Sequence, residues 1–123
     1  MTGSRRPLFH LALRAEWARA RTAGSYDRST IDRSLAEEGF IHCSFAEQVQ
    51  ATADRFYRGR DDVVLLRIDP DRLDVAVRVE AVPGSGQAFP HVYGPLPVGA
   101  VVAADPVPVG ADGRLDVGRL LGE

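Results

Sequence analysis

The chain has 123 residues, 45% apolar and 26% charged, which suits one globular domain and lies far from the low-hydrophobicity, high-charge regime of disorder. Its net charge of −2 leaves no basic footprint for duplex nucleic acid, and its 15 positive charges are all Arg, a bias that GC-rich coding explains without any phosphate site. The single cysteine, Cys43, excludes a disulfide framework and a thiolate zinc cluster, and no apolar run approaches a membrane span. Arg14 and Glu16 interrupt the N-terminal apolar run before it reaches signal-peptide length, so the expectation is an unexported, cytoplasmic protein.

In chain order, residues 7–13 read as a buried first strand centred on His10. Residues 14–23 are helix-prone, with Gly24 as the stop, and a polar stretch over 27–33 follows. Residues 34–39 give a short turn of helix with its own glycine stop, and 40–43 a short strand. Ser44-Phe45-Ala46-Glu47 fits a capping box, which predicts Ser44 as the cap of a helix over 45–57 with an apolar stripe of Ala46, Val49, Ala53, Phe56 and Tyr57. The continuous apolar run 63–68 reads as a strand covered on both faces, and the alternation over 75–79 as a half-buried strand that leaves Glu80 on its wetter side. Residues 83–86 form a loop. Residues 89–97 form a rigid, proline-punctuated segment in which Pro90 pins the entry to His91, 98–103 a last core strand, and 112–114 a turn before a weak final element. The sum is one α+β domain over residues 1–123, with about five or six short strands and two or three helices.

Each of the three histidines sits inside an apolar run: Leu8-Phe9-His10-Leu11, Phe40-Ile41-His42-Cys43 and Phe89-Pro90-His91-Val92-Tyr93. A histidine flanked by strand formers is held at a fixed direction, where imidazole binds ligands or transfers protons near neutral pH, although a strand histidine is also often a satisfied core residue. Alternation turns His42 to the face opposite Ile41 and Cys43, so Cys43 reads as core. Ser44 at the mouth of a helix combines a cap with a phosphate or ribose contact, whereas no metal-ligand spacing is present. Tyr26 and Tyr93 read first as packing residues.

Several segments together resemble the small bacterial family numbered nine hundred and fifty-two among the domains of unknown function, over about residues 8–115. They are His10, Trp17, Gly24-Ser25-Tyr26, Glu38-Gly39-Phe40-Ile41-His42-Cys43-Ser44, Phe56-Tyr57-Arg58-Gly59 and Phe89-Pro90-His91-Val92-Tyr93-Gly94-Pro95. The resemblance implies an ADP-ribosyltransferase-like fold, a split, mostly antiparallel sheet whose cleft takes NAD. It implies His10, His42 and His91 as catalytic residues and His10, His42, Ser44 and Tyr93 as contacts to NAD or ADP-ribose, in an ADP-ribosyl or phosphate transferase of the RNA 2′-phosphotransferase-like branch. Where many such transferases place a catalytic Glu, this chain has His91 or Tyr93, with Glu80 on the preceding predicted strand. The alternatives are a non-catalytic nucleotide-sensing module and a two-histidine phosphoesterase, the latter fitting His42-Cys43-Ser44 but meeting Ala12 where its second hydroxyl belongs. In every case the expected partner is a nucleotide-type small molecule.

Overall fold

A computed structural model describes residues 6–121. The apolar run at the start forms β1 (Leu8–Leu13), and the chain passes directly into α1 (Arg14–Ala23), which Gly24 terminates in the left-handed conformation. There follow β2 (Ser25–Tyr26), α2 (Leu35–Glu38), β3 (Ile41–His42), α3 (Val49–Phe56), β4 (Val63–Ile68), β5 (Val77–Val82), β6 (Gln87–Val92), β7 (Leu96–Pro97) and β8 (Val101–Pro106). The fold is α+β, a single small domain with antiparallel sheets and few helices.

One sheet has the order β1-β4-β8 and another β3-β6-β5, while β2 and β7 pair separately. Adjacent strand residues point to opposite faces, and this divides the first sheet between two cores. Leu8, Ala12, Val64, Leu66 and Ile68 enter one core with Trp17 and Ala20 of α1, Tyr26, Ile41, Cys43, Val92 and Leu96. Phe9, Leu11, Val63 and Leu65 enter the other with Val49 and Ala53 of α3, Tyr57, Leu115 and Val117. Covered on both faces, β4 needs no polar alternation, which is why its sequence is nearly continuous hydrophobe.

The two three-stranded sheets are stitched together by Ser44. Its N–H donates to the Phe9 carbonyl and its carbonyl accepts from the Phe9 N–H, both at 2.8 Å. Ser44 therefore does not cap a helix. The first turn after it is a 3-10 turn, Ala46–Gln48, and the Phe45 N–H donates to Oε1 of Gln48 at 3.0 Å, so a glutamine side chain does the work the sequence assigns to a serine. The reciprocal Ser/Glu capping box lies instead at Ser34 and Glu37, where both bonds form.

Two strands also differ from their sequence-based bounds. The strand expected over 75–79 spans Val77–Val82, because it pairs with β6 around the four-residue turn at 83–86. The strand expected over 98–103 starts at Val101 after a 3-10 turn, Val98–Ala100. Among the described residues no helix is long and apolar enough to cross a membrane.

Candidate functional site

The proline-punctuated segment is the centre of the site. Residues 87–92 form the middle strand of the β3-β6-β5 sheet, with Pro90 inside it. A strand residue turns its N–H and C=O to the same side, and the Pro90 carbonyl accepts from the Cys43 N–H at 3.0 Å, so the missing proline N–H withholds nothing from β5. Register then fixes the faces. Ile41, Val92 and Cys43 go into the core, whereas His42 lies opposite His91, His91 opposite Arg78, and Phe89 opposite Glu80 on the other face.

The His42 backbone is held from two directions. Its N–H donates to Oγ of Ser29, a buried residue of the 27–34 loop, at 3.1 Å, and its carbonyl accepts from Nδ1 of His10 at 2.8 Å. A carbonyl can only accept, so His10 carries its proton on Nδ1, and Nε2 accepts from the Tyr26 hydroxyl at 3.0 Å. Both ring nitrogens of His10 are engaged and the ring is buried; burial lowers its pKa from 6.5 to about 4, against the opposing effect of the bond to His42. His10 is a neutral brace behind the sheet.

A second, polar chain crosses the open face. Nδ1 of His91 lies 2.8 Å from Oε1 of Glu80, and the Tyr93 hydroxyl donates to the same oxygen. These two bonds, Tyr93's first, hold the Glu80 carboxyl below its usual range, and the bond to Glu80 raises the Tyr93 phenol. An ionised carboxylate only accepts, so Nδ1 of His91 carries a proton, and in the neutral ring Nε2 keeps a lone pair, 3.2 Å from Nδ1 of His42. His42 therefore donates from Nδ1, and its Nε2 is left with a lone pair that has no partner among the described residues. Burial, then the neighbouring His91 and His10, lower the His42 pKa from 6.5 to about 4, so the ring is neutral near pH 7.

These groups line a cleft of about 700 Å³ between the β5-β6 sheet, with its 83–86 turn, and α3. Phe40 lies flat on the His91 ring, centroids 3.9 Å apart and planes 14° from parallel, and Phe89 is tilted against His42 at 4.9 Å. Phe40 reaches this position because Gly39, at φ 91°, ends α2 in a conformation that L side chains avoid. Beyond Tyr93, a Cβ on Gly94 would fall 2.5 Å from Cγ1 of Val75, so only glycine lets the chain close behind the tyrosine. Arg55 of α3 also lines the cleft, its guanidinium over the Phe56 ring and no carboxylate partner among the described residues.

Of the residues expected to form a site, His42, His91 and Tyr93 come together in the cleft, and His10 and Ser44 do not line it. Ser44 is buried, its hydroxyl 3.3 Å from that of Thr52, and it lies with His10 on a small cavity of about 10 Å³ behind His42. Cys43 is buried on the core side and its thiol is pushed up to about 12 by desolvation, which leaves no thiolate for chemistry. Sequence reasoning noted Glu80 only as the acid on the strand preceding His91, and it gave Phe40 and Ser29 no place in the site. Glu80 carried one signal, its parity on an alternating strand, but without the β5-β6 register nothing linked it to His91. Among the described residues no group of three or more His, Cys, Asp or Glu could hold a metal ion.

Fold and site together define a small α+β domain with a carboxylate-backed histidine pair on the wall of an aromatic cleft. The chain belongs to the family described as "Protein of unknown function (DUF952)", whose profile matches residues 11–104. It is similar to protein CC0527 of Caulobacter crescentus: the crystal structure superposes with a TM-score of 0.83 at 33% identity, covering 95% of this chain and 99% of that one. The solution NMR structure of CC0527 superposes with a TM-score of 0.77 at 37% identity, covering 93% and 95%. No curated protein matches.

Proposed function

We propose that the cleft binds a nucleotide of the ADP-ribose type, NAD or ADP-ribose itself. The observation that carries this reading is the wall on which an unengaged imidazole nitrogen, Nε2 of His42, stands beside the rings of Phe40, Phe89 and Tyr93. Aromatic faces stack a base or a nicotinamide, a neutral imidazole accepts from a ribose hydroxyl, and the unpaired Arg55 suits a phosphate. The volume lies within the range of small-molecule sites. In an ADP-ribosyltransferase-like arrangement His42 would hold the ribose, His91 and Tyr93 would close the nicotinamide end, and His10 would act from behind by fixing the His42 carbonyl. Transfer of an ADP-ribosyl or phosphate group is the activity this reading favours, and a nucleotide-sensing module is its non-catalytic form. A two-histidine phosphoesterase is less well supported, because His42 and His91 touch at 3.2 Å and leave no space between them for a phosphate.

Calorimetric titration with NAD, ADP-ribose and a 2′,3′-cyclic nucleotide tests the reading. NAD or ADP-ribose should bind, and Phe40→Ala should weaken binding about five- to hundredfold if a base or nicotinamide stacks there. Absence of heat with both ligands at millimolar concentration would overturn it, and binding of the cyclic nucleotide alone would favour the phosphoesterase.

A further inference from the structure

We infer that the cleft holds a general base, His42, that strips a proton from a hydroxyl of the ligand or of water and passes one on to His91, whose positive charge the Glu80 carboxylate then balances. The inference deepens the ligand reading above, since the ligand supplies or positions the hydroxyl, but its test requires no ligand.

The geometry dictates the direction. The substrate O–H breaks as a new N–H forms at Nε2 of His42, and the electron pair stays on oxygen, which becomes the nucleophile. His42 then releases the proton on Nδ1 along its 3.2 Å contact to the lone pair on Nε2 of His91. Two bonds to hydrogen form and two break. His42 ends neutral with its proton on Nε2, and His91 ends as an imidazolium whose Nδ1–H remains on Oε1 of Glu80 at 2.8 Å.

The charge settles on His91 because of what surrounds each ring. His91 has a carboxylate in contact and the flat face of Phe40 against it, and both favour a cation. His42 touches a histidine and a phenylalanine and no carboxylate. Other charges face the pair from three elements. Arg78 of β5, over the Tyr93 ring at 5.1 Å, opposes the cation, while the cleft lining also holds Glu38 of α2, paired with Arg33 at 3.8 Å, and Arg55 of α3. Tyr93 donates to Glu80 Oε1 and so competes with His91 for that oxygen. The depressed basicity of His42 fits a base that passes its proton on. Glu80 and Tyr93 are thus positioning residues.

With only three histidines in the chain, imidazole nitrogen NMR of the full-length protein reads every ring. At neutral pH His42 and His91 should both show the Nδ1–H tautomer. When the pair takes up a proton on acidification, the relay requires His42 to switch from Nδ1–H to Nε2–H without itself becoming an imidazolium, a change that a merely structural histidine does not make. Glu80→Gln should remove the coupled switch and Glu80→Asp should partly restore it. Tyr93→Phe, which keeps the carboxylate, should move the switch to higher pH, and it serves if Glu80→Gln does not fold. A neutral-pH Nε2–H tautomer on His42, an imidazolium forming on His42 first, or a switch untouched by Glu80→Gln would overturn the relay. The outcomes separate cleanly from the ligand reading: an intact switch without NAD or ADP-ribose binding leaves the base standing and sinks the nucleotide, and binding without the switch does the reverse.

Discussion

The two three-stranded sheets use the same residue type in opposite ways. In β1 and β4 of the β1-β4-β8 sheet both faces are covered, so a histidine placed there must find partners for both nitrogens inside the protein, and His10 finds them in the His42 carbonyl and the Tyr26 hydroxyl. In the β3-β6-β5 sheet one face packs and the other opens on the cleft, so His42 and His91 satisfy each other and Glu80 and still leave one nitrogen over. Mid-strand position therefore does not make a histidine chemical. What decides is whether the face it points to is covered.

The largest expected difference between the sheets is in stability. His10→Ala would leave a cavity and two unpaired buried groups, the His42 carbonyl and the Tyr26 hydroxyl, at a cost of about 3 to 4 kcal/mol. His42→Ala, opening onto the cleft, should cost about 1 kcal/mol. Urea denaturation of both variants checks the contrast, and equal losses would erase it.

Acid tests the burial of His10 directly. Burial holds the pKa of His10 near 4 in the folded state, below its ordinary 6.5, so under pH 6.5 the unfolded chain binds a proton that the native state refuses. The stability tied to His10 is then complete above about pH 6.5 and falls as pH drops toward 4, by about 2 kcal/mol between pH 7 and pH 5 for this one residue. Urea midpoints at these two pH values measure it. In His10→Gln the pH dependence should shrink by the same amount.

These sheets also mark how far the sequence could be read. β1, α1 with its Gly24 stop and β4 stand where periodicity and glycine place them, because each is decided by its own side chains. The alternation of Ile41, His42 and Cys43 gave the correct faces for the same reason. The Glu80–His91 contact is different in kind, since it depends on the register in which the 83–86 turn pairs β5 with β6, which the alternation within either strand alone does not give. That His10 is a brace is likewise invisible locally, because its partners lie 16 and 32 residues away.

The smallest effect tests a point at which a strong local motif misled. Ser44-Phe45-Ala46-Glu47 has the spacing of a capping box, yet Ser44 is engaged through its backbone in the bridge to Phe9, which commits it to extended pairing between the sheets and leaves its hydroxyl to Thr52. Gln48 takes over the onset of the helix. Its Oε1 accepts from the Phe45 N–H, and its amide donates to the Ala88 carbonyl at 2.8 Å and to Oε1 of Gln87 at 3.1 Å, tying α3 to the start of β6. Gln48→Ala should therefore cost about 1.5 kcal/mol, since it removes a buried side chain that partners the Phe45 N–H and the Ala88 carbonyl. Ser44→Ala keeps the backbone bridge and gives up one long hydroxyl contact at 3.3 Å, for a loss of about 0.5 kcal/mol. Thermal melts of the two variants side by side decide the matter: a larger loss for Ser44→Ala would return the cap to the serine, and the expected order assigns it to the glutamine that also anchors the cleft-bearing sheet.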